Sequence, residues 1–379
     1  MNRPVYLDCN ATTPLDENVR KTLELYLIQE FGNEGSRTHE YGSLAKKAVQ
    51  KARDQVAAVV AAKREEVIFT SGATESNNLA ILGLMEHGLA TGCRHLISTK
   101  IEHKAVLEPL EYMESKGFDV TWLGVDLHGR VLLEQMQQSL RPDTLLVSVM
   151  AANNETGVRQ PLEEICALLG DHPAYFHTDA SQVFGKELAI LQNQRIDLLS
   201  ISGHKIFAPK GIGALITRRR GYERPPLKPL FYGGGQERGL RPGTLPVALI
   251  AALGEAAEQA QKHQEKRKAA CLAFRKQALA GLQELAPRQH GQEEHVMPHV
   301  LNLAFPGMDS EALLVALKDI VAFSNGSACT STSYTPSHVI KAMGFTDDEA
   351  NEAVRFSWSH MTPEVDWAAV VERIRSLRS

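Results

Sequence analysis

Several side chains capable of chemistry stand directly after runs of residues that predict β-strands. The motif SGATE (71–75) follows one such run and begins a helix-like stretch. Glycine permits a tight turn there, and the first N–H groups of a helix, together with the Thr74 hydroxyl, can bind a phosphate. The same pattern is typical of an ordinary helix cap formed by Thr74 or Ser76. On its own, this motif leaves both interpretations open.

An aspartate and a lysine end two further strand-like runs. Asp179, in HTDASQ (177–182), would face the ligand crevice at the C-terminal edge of a parallel sheet, or satisfy a loop backbone. Lys205, in SGHK (202–205), could form a Schiff base if burial favours its neutral amine, although most lysines are solvated surface charges. Lys205 follows Asp179 by 26 residues, about one strand–helix–strand unit, so both can line one crevice. A phosphate cradle, an aspartate and such a lysine are what pyridoxal 5′-phosphate (PLP) requires.

The elements that must position these side chains alternate between strand and helix from about residue 45 to residue 220. This alternation predicts a mostly parallel, seven-stranded sheet covered by helices on both faces, which is the α/β fold class. The helix-like stretches include 76–90 and 162–170. The strand-like runs are 65–72, 94–103, 119–126, 144–155, 174–180, 197–206 and 211–218.

Beyond residue 246 the pattern changes. Residues 247–285 predict one long helix with a partly buried apolar stripe. Strands near 298–305 and 319–323 and a helix from about 363 to the end follow it. We therefore predict a large domain over 15–255 and a smaller α+β domain made of 1–14 and 256–379. The first 14 residues fit either domain, and we assign them to the small one.

Composition excludes several classes of protein. The 379 residues carry 41 Lys and Arg against 45 Asp and Glu, a net charge of −4, so we expect no direct nucleic-acid binding. No run approaches the roughly 18–20 apolar residues of a membrane span, and the start does not predict a signal peptide. The five scattered cysteines form no CxxC pair, so we expect neither a disulfide framework nor a metal site. We expect a soluble, cytoplasmic protein with no membrane partner.

Nine short motifs, in one order along the chain, resemble those of a known enzyme family. They are similar to the group I (NifS/IscS-like) cysteine desulfurases, which belong to the class V aminotransferase family of fold type I PLP enzymes. The similarity extends from residue 6 to about residue 360. The motifs are LDCNATTP (7–14), SGATESNN (71–78), EHKAV (102–106), NNETG (153–157), HTDASQ (177–182), SGHKIFAPKGIG (202–213), GGGQERGLRPGTLP (233–246), SNGSACTS (324–331) and VRFS (354–357).

This resemblance implies a role for each residue that contacts the cofactor. Lys205 forms the Schiff base with PLP, Asp179 pairs with the ring nitrogen, and Gln182 hydrogen-bonds the phenolic oxygen. His103 stacks on the ring and assists proton transfer, although EHKAV alone favours a capping or core histidine. Ala73 is also implied to contact PLP. The residues implied to surround the phosphate are Thr74, Ser202 and His204. Thr244 is implied to reach the phosphate from the other subunit of a homodimer.

Three further residues are implied to act on the substrate. Asn154 and Arg355 clamp its carboxylate, a task that suits the planar guanidinium fork, whereas a lone arginine is more often a surface charge. Cys329 lies among small polar residues, which fits an accessible nucleophile better than a structural cysteine. The resemblance places Cys329 on a long loop, about 324–335, from which it reaches both the cofactor and an outside acceptor. Cys9 falls in a segment that the family places near the substrate, and its role stays open.

The implied function is that of a cysteine desulfurase. L-cysteine displaces Lys205 from the cofactor, and Lys205 then removes the Cα proton. The Cys329 thiolate attacks the substrate sulfur, so that L-alanine leaves and a persulfide remains on the enzyme. A sulfur-acceptor protein collects this sulfur for iron–sulfur cluster assembly, tRNA thiolation or DNA phosphorothioation.

Two other interpretations start from the same residues. A selenocysteine lyase, or another class V lyase or aminotransferase, would use Lys205 and Asp179, but most of these enzymes need no nucleophilic thiol such as Cys329. A non-enzymatic interaction scaffold would have no need to retain these three residues together with His103 and Arg355. The cysteine desulfurase therefore accounts for more of the motifs than either alternative.

Overall fold

The computed structural model describes residues 3–325 and 336–377. Its strands are β1 (Val5–Tyr6), β2 (Val67–Thr70), β3 (His95–Thr99), β4 (Asp119–Leu123), β5 (Thr144–Ser148), β6 (Tyr175–Asp179), β7 (Leu198–Ser202), β8 (Gly213–Thr217), β9 (Arg288–Gln289), β10 (Val300–Ala304), β11 (Val321–Ala322) and β12 (Ala353–Ser357). Its α-helices are α1 (Glu17–Glu24), α2 (Glu40–Val59), α3 (Ala73–Leu82), α4 (Met85–Thr91), α5 (Lys104–Ser115), α6 (Leu133–Ser139), α7 (Leu162–Leu169), α8 (Val247–Leu282), α9 (Ser310–Leu317), α10 (His338–Ala342), α11 (Asp347–Asn351) and α12 (Trp367–Ser376).

The central sheet has seven strands within the described residues, in the order β2-β8-β7-β6-β5-β3-β4. Neighbouring strands run parallel except for β8, which is antiparallel to both β2 and β7. The predicted mostly parallel sheet is thus confirmed. Asp179 of β6 lies opposite Ser200 of β7, so the segments that follow these two strands leave the sheet at the same edge.

Helices bury the sheet on both faces. On one face α2 and α8 pack against each other and against the sheet, where Val49 and Ile250 belong to one core. On the other face α3 and α5 pack together, and Leu79 and Leu110 belong to a second core. Every residue of β3, β5, β7 and β8 is buried. Burial from both sides explains why these strands appear as nearly continuous apolar runs in the sequence.

The helix predicted over 76–90 is instead two helices, α3 and α4, which meet at Gly83. The Gly83 carbonyl oxygen accepts a hydrogen bond from the Lys228 N–H at 2.9 Å. A Cβ atom on Gly83 would lie 3.1 Å from the carbonyl oxygen of Lys228, so the crossing segment needs a glycine there. The apolar pattern continues across the break because both helices face the same core, and the pattern alone therefore does not reveal it.

The small unit combines the antiparallel sheet β9-β10-β12 with the parallel pair β1-β11. Leu7 from the N-terminal segment joins its core with Leu301 and Phe356. Helix α8 contributes to two cores, with Ile250 against the large sheet and Phe274 in the small unit. The division of the chain near residue 255, with residues 1–14 in the small domain, stays a prediction.

Helix α8 has 36 residues and ends close to the predicted boundary at 285. Charged and amide side chains recur along its length, so that it presents a polar surface between its contacts with the two cores. In the part of the chain that the structure describes, no helix joins the length and the apolar character that crossing a membrane demands.

Candidate active site

A cavity of about 460 Å³ lies at the C-terminal edge of the central sheet, the edge at which open α/β sheets bind ligands. The segments that follow β2, β3, β5, β6 and β7 form its wall, together with residues 10–11 and one residue of β12. The predicted site residues that line it are Ala73, Thr74, His103, Asn154, Asp179, Gln182, Ser202, His204, Lys205 and Arg355.

Lys205 reaches the cavity from a 3₁₀ turn, Gly203–Lys205, that directly follows β7. Its Nζ donates hydrogen bonds to the main-chain oxygens of Asn10 at 2.5 Å and Ala11 at 2.8 Å. Two carbonyl oxygens therefore hold the amine at the cavity wall. The N-terminal segment thus forms part of the site, 194 to 195 positions away from the lysine in the sequence.

Asp179 is the last residue of β6 and its carboxylate is buried and fully oriented. Oδ1 accepts hydrogen bonds from the Ser181 N–H at 2.9 Å and the Ser181 hydroxyl at 2.6 Å. Oδ2 accepts one from Asn77 Nδ2 at 2.7 Å. Donors on both oxygens fix the orientation of this carboxylate, which lines the cavity.

The turn before α3 forms the predicted phosphate cradle. Gly72 is the N-cap of α3 and supplies no side-chain cap, so the first N–H groups of the helix lack the usual side-chain acceptor. Ala73 and Thr74 line the cavity at this helix end. Ser202 faces the same turn, because a Cβ atom on Gly72 would lie 3.6 Å from the Ser202 hydroxyl oxygen. Gly72, Ala73, Thr74 and Ser202 together leave space for an anionic group.

His103 is at once a helix cap and a cavity residue. It is the N-cap of α5, and its Nδ1 accepts a hydrogen bond from the Ala105 N–H at 3.1 Å. This bond assigns the ring proton of the neutral imidazole to Nε2. Burial lowers the pKa of His103, so the ring is neutral at neutral pH. The capping role that EHKAV favours and the site role that the resemblance implies are therefore compatible.

Two further histidines are kept neutral near the site. Burial, followed by the charge of Lys205, lowers the pKa of His204 to about 4, and its Nδ1 is 3.2 Å from the Thr12 hydroxyl. His177 lies two residues before Asp179 on β6 and is completely buried. Burial lowers the pKa of His177 to about 4 as well. Because these imidazoles are uncharged, neither of them offers the Asp179 carboxylate a positive charge in place of a protonated ring nitrogen.

Three buried side-chain oxygens at the cavity have no hydrogen-bond partner among the described residues. They are Gln182 Oε1, Asn10 Oδ1 and Asn77 Oδ1. Gln182 and Asn10 are otherwise bonded to each other, since Gln182 Nε2 donates to the Asn10 main-chain oxygen at 3.1 Å. Buried polar atoms are nearly always satisfied in folded proteins. The unpaired oxygens therefore indicate that a polar group completes this site.

Arg355 and Asn154 meet at the wall of the same cavity. Arg355, on β12, is only 1% exposed, and its Nη1 donates to the Asn154 main-chain oxygen at 3.0 Å. Its Nη2 donates to Asp8 Oδ1 at 2.6 Å. The arginine is thus a buried cavity residue and not a surface charge. Its ion pair with Asp8 was not predicted from the sequence.

Thr244, Cys329 and Cys9 are not among the described residues that line this cavity. Thr244 is exposed and is not among the described residues that line the cavity, and its contact across a dimer stays a prediction. Cys329 and most of the predicted loop lie outside the described residues. Cys9 is buried, and it lines a separate small cavity with Lys186 and Ser359. Burial raises the pKa of the Cys9 thiol to about 11, which makes it a weak nucleophile.

The comparison with known proteins agrees with this geometry. The model of the family Aminotransferase class-V matches residues 5–368. The human cysteine desulfurase is 44% identical over 373 residues, which are 98% of this chain and 81% of the human protein. The chain belongs to the class-V aminotransferase family, in its cysteine desulfurase group. The predicted family and enzyme class are thus confirmed.

Solved structures of the family share the whole fold. A NifS-like protein superposes with a TM-score of 0.90 at 34% identity, covering 99% of both chains. SspA in complex with cysteine superposes with a TM-score of 0.81 at 35% identity, covering 95% of this chain and all of SspA. These superpositions confirm the predicted fold type I architecture.

The cofactor of this family is PLP, and the cavity fits it. It offers the Lys205 amine, the oriented Asp179 carboxylate and a helix end without a side-chain cap. The unpaired oxygen of Gln182 adds a hydrogen-bonding group at the same wall. These donors and acceptors match an aldehyde, a protonated ring nitrogen and a phosphate.

Some residues of the site were missed by sequence reasoning. Asn77 orients Asp179, Asn10 binds Lys205 and Gln182 through its main-chain oxygen, and Asp8 pairs with Arg355. Asn10 and Asp8 lie in LDCNATTP, and Asn77 lies in SGATESNN, so the motifs themselves were the available signal. Their partners are 102 to 347 positions away, and no local pattern predicts contacts of that range.

Proposed function

We propose that this cysteine desulfurase uses PLP to remove sulfur from L-cysteine and carries the sulfur on Cys329. The products are L-alanine and an enzyme persulfide, which an acceptor protein then discharges. The observation that carries the proposal is that Lys205, Asp179, His103 and Arg355, from four different strand ends or strands, line one cavity.

Several of the described residues would hold PLP. Lys205 would hold it covalently through Nζ, and Asp179 would accept a hydrogen bond from its protonated ring nitrogen. Gln182 would contact its phenolic oxygen, and His103 would lie against its ring. When bound, PLP supplies an electron sink for negative charge that develops at the substrate Cα atom.

The substrate is oriented by Arg355 and Asn154, which we propose as ligands of the α-carboxylate. With the carboxylate fixed there, Lys205 Nζ is the base that removes the Cα proton, because the amine lies in the same cavity. Ala105 N–H donates to Nδ1 of His103, so the Nε2–H is the remaining hydrogen-bonding group of the ring. His103 would assist the proton transfers through this group, whereas Lys205 is the base at the substrate Cα atom.

Sulfur transfer requires an additional nucleophile. The Cys329 thiolate attacks the sulfur atom of the substrate, so a sulfur–sulfur bond forms while the carbon–sulfur bond breaks. The electron pair of the broken bond stays on the substrate Cβ atom, which takes up a proton. Lys205 returns a proton to Cα, and L-alanine leaves. A thiolate of the acceptor then attacks the outer sulfur and regenerates Cys329.

Assembly, partners and location complete the proposal. We propose a homodimer in which Thr244 of each subunit contacts the phosphate bound by the other. The acceptor is a protein of iron–sulfur cluster assembly, tRNA thiolation or DNA phosphorothioation. The free thiols of Cys9, Cys93, Cys166 and Cys271 support a reducing, cytoplasmic location.

The test is the mass of the intact holoenzyme after brief incubation with L-cysteine. Wild type should gain the mass of one or more sulfur atoms and release alanine. Cys329→Ser should keep the absorbance of bound PLP but gain no sulfur. Cys93→Ser is the matched control, since Cys93 is a half-exposed free thiol outside the cavity, and it should gain sulfur like wild type.

A gain on Cys329→Ser equal to that of wild type would overturn the persulfide step. No alanine and no sulfur gain on wild type, with PLP bound, would favour the alternative of a class V lyase or aminotransferase with another amino-acid substrate. Lys205→Ala should lose both the PLP absorbance and turnover, and retained turnover would remove Lys205 from its proposed role.

A further inference from the structure

We propose that Asp8 is a positioning residue that holds the Arg355 guanidinium at the angle required to receive the substrate carboxylate. The inference rests on the proposed function, because it takes Arg355 as the ligand of that carboxylate. Asp8 belongs to the motif LDCNATTP, but neither its residue type nor its place in the motif indicates such a role.

The contacts of the guanidinium carry the first step of this inference. Asp8 Oδ1 accepts from Nη2 at 2.6 Å, and the Asn154 main-chain oxygen accepts from Nη1 at 3.0 Å. The Arg355 side chain is 1% exposed, whereas that of Asp8 is 21% exposed. A guanidinium that is so deeply buried requires a counter-charge, and Asp8 supplies it.

The location of Asp8 relative to the cavity gives the second step. Arg355 and Asn154 line the cavity, but Asp8 is not among the described residues that do. The Asp8 carboxylate therefore contacts the guanidinium from outside the cavity wall. A guanidinium has five N–H donors, and the buried Nε has no partner among the described residues. A substrate carboxylate can therefore use the remaining donors without displacing Asp8.

The main chain around Asp8 gives the third step, because it is tied to the strand that carries Arg355. The Ser357 N–H donates to the Leu7 oxygen at 2.8 Å, and the Cys9 N–H donates to the Ser357 oxygen at 3.0 Å. These bonds fix the residues on both sides of Asp8 against β12. The carboxylate and the guanidinium consequently keep one relative position, and the charge-assisted bond sets the angle of the fork.

The experiment compares wild-type holoenzyme with Asp8→Asn, which keeps the shape but loses the charge. The KM for L-cysteine should rise about tenfold while kcat stays within about twofold, because an orienting charge-assisted bond is lost but no reacting group is removed. A second measurement needs no turnover. L-alanine and ethylamine, which share a carbon skeleton but differ in the carboxylate, are titrated into the holoenzyme and followed by absorbance.

Asp8→Asn should reduce the affinity for L-alanine relative to ethylamine about tenfold. Asp8→Glu keeps the charge and should give a ratio between those of Asp8→Asn and wild type. If Asp8→Asn does not fold, Asp8→Glu provides the test instead. The proposal then requires that the affinity of Asp8→Glu for L-alanine relative to ethylamine lie below that of wild type. A simple loss of stability would not change this ratio, because ethylamine makes no contact that requires Arg355.

Asp16→Asn is the matched control. Asp16 accepts from Arg267 Nη2 at 2.9 Å and is 14% exposed, but neither residue lines the cavity. This variant should keep the wild-type KM and ratio. A wild-type ratio in Asp8→Asn, or a lower KM for L-cysteine, would overturn the positioning role. If wild type makes no alanine from cysteine, the proposed function fails, whereas the alanine-to-ethylamine ratio still tests Asp8.

Discussion

Glu102 is a buried carboxyl group that directly precedes His103 in the sequence. Its side chain is fully buried, and Oε1 accepts from the Thr99 hydroxyl at 3.0 Å and the Met150 N–H at 2.8 Å. Burial raises the pKa of Glu102 to about 8, so the carboxyl is protonated at neutral pH. The folded state therefore binds a proton that the unfolded state has released above its ordinary pKa of about 4.3. The contribution of Glu102 to the free energy of unfolding therefore falls as the pH rises from about 4.3 to about 8.

Glu102→Gln should remove this pH dependence, because an amide resembles the protonated carboxyl and does not titrate. The free energy of unfolding of the variant relative to wild type should increase by about 1.4 kcal/mol per pH unit between pH 5 and pH 7. Denaturant unfolding at pH 5, 6 and 7 measures this slope. A difference that does not change with pH would show that Glu102 is ionised in the folded protein.

The proposed phosphate cradle depends on a glycine in a neighbouring strand. Gly213 begins β8 and backs the turn before α3. A Cβ atom at this position would lie 2.4 Å from the Ile201 carbonyl oxygen and 2.7 Å from Gly72 Cα. Because both contacts are with main-chain atoms, side-chain rotation cannot relieve them. The turn that presents the α3 N-terminus would have to move.

Gly213→Ala should therefore weaken PLP binding by about tenfold or more, since overpacking of this kind costs about 1–3 kcal/mol. Titration of the apoprotein with PLP measures the affinity. Gly124→Ala is the control, because the atoms nearest to its added methyl group are side-chain atoms 3.5 Å away. Wild-type affinity in Gly213→Ala would show that the cradle tolerates a shift of its main chain.

A buried ion pair holds the segment that leads to Thr244. Glu237 and Arg238 have φ angles of 46° and 61°, a left-handed conformation that strains residues with a side chain. Arg53 forms a buried ion pair with Glu237, whose Oε2 also accepts from the Phe69 N–H at 2.7 Å. These bonds tie the strained turn to α2 and β2. They maintain a conformation that the local sequence does not favour.

Glu237→Ala should lower the free energy of unfolding by about 3–5 kcal/mol, because it leaves the Arg53 charge buried and unpaired. Arg238→Gly should instead be neutral or stabilising by up to about 1 kcal/mol, since glycine accepts the left-handed conformation. Denaturant unfolding of both variants measures the difference. A similar destabilisation by both would mean that side-chain packing, and not the ion pair, maintains the turn.

For the whole molecule, buried and half-buried histidines reduce the stability of the folded state at acidic pH. Burial lowers the pKa values of His177, His204 and His360 to about 4 and that of His299 well below its ordinary range. Between pH 4 and about 6.5 the unfolded chain binds protons at these positions that the folded chain does not. Stability is therefore present above pH 6.5 and is lost as the pH falls.

The melting temperature should accordingly fall as the pH is lowered from 6.5 to 4, although protonated Glu102 acts in the opposite direction. His177→Gln, which replaces one completely buried ring, should make the fall less steep. A melting temperature that stays constant over this range would contradict the conclusion that these histidines are neutral in the folded protein.

Much of this molecule could be predicted from its sequence, and the remainder has a common cause. Runs such as 65–72 and 197–206 predicted strands of the central sheet because burial on both faces leaves a continuous apolar signal. The motifs also predicted ten of the described residues that line the cavity, but Thr244 is not among these lining residues. The break at Gly83 and the contacts of Asn77 and Asp8 could not be predicted, because each depends on a segment that is distant in sequence.

The ion pair between Asp8 and Arg355 joins positions that are 347 residues apart, and Asn10 reaches Ser357 over the same separation. Synthesis on the ribosome proceeds from the N-terminus at about 5–20 residues per second, and domains fold in that order. The strands of the central sheet are thus available long before β12 emerges. Leu7, Asp8 and Cys9 lack their bonds to β12 until then, so the ion pair between Asp8 and Arg355 can form only after β12 has been synthesised.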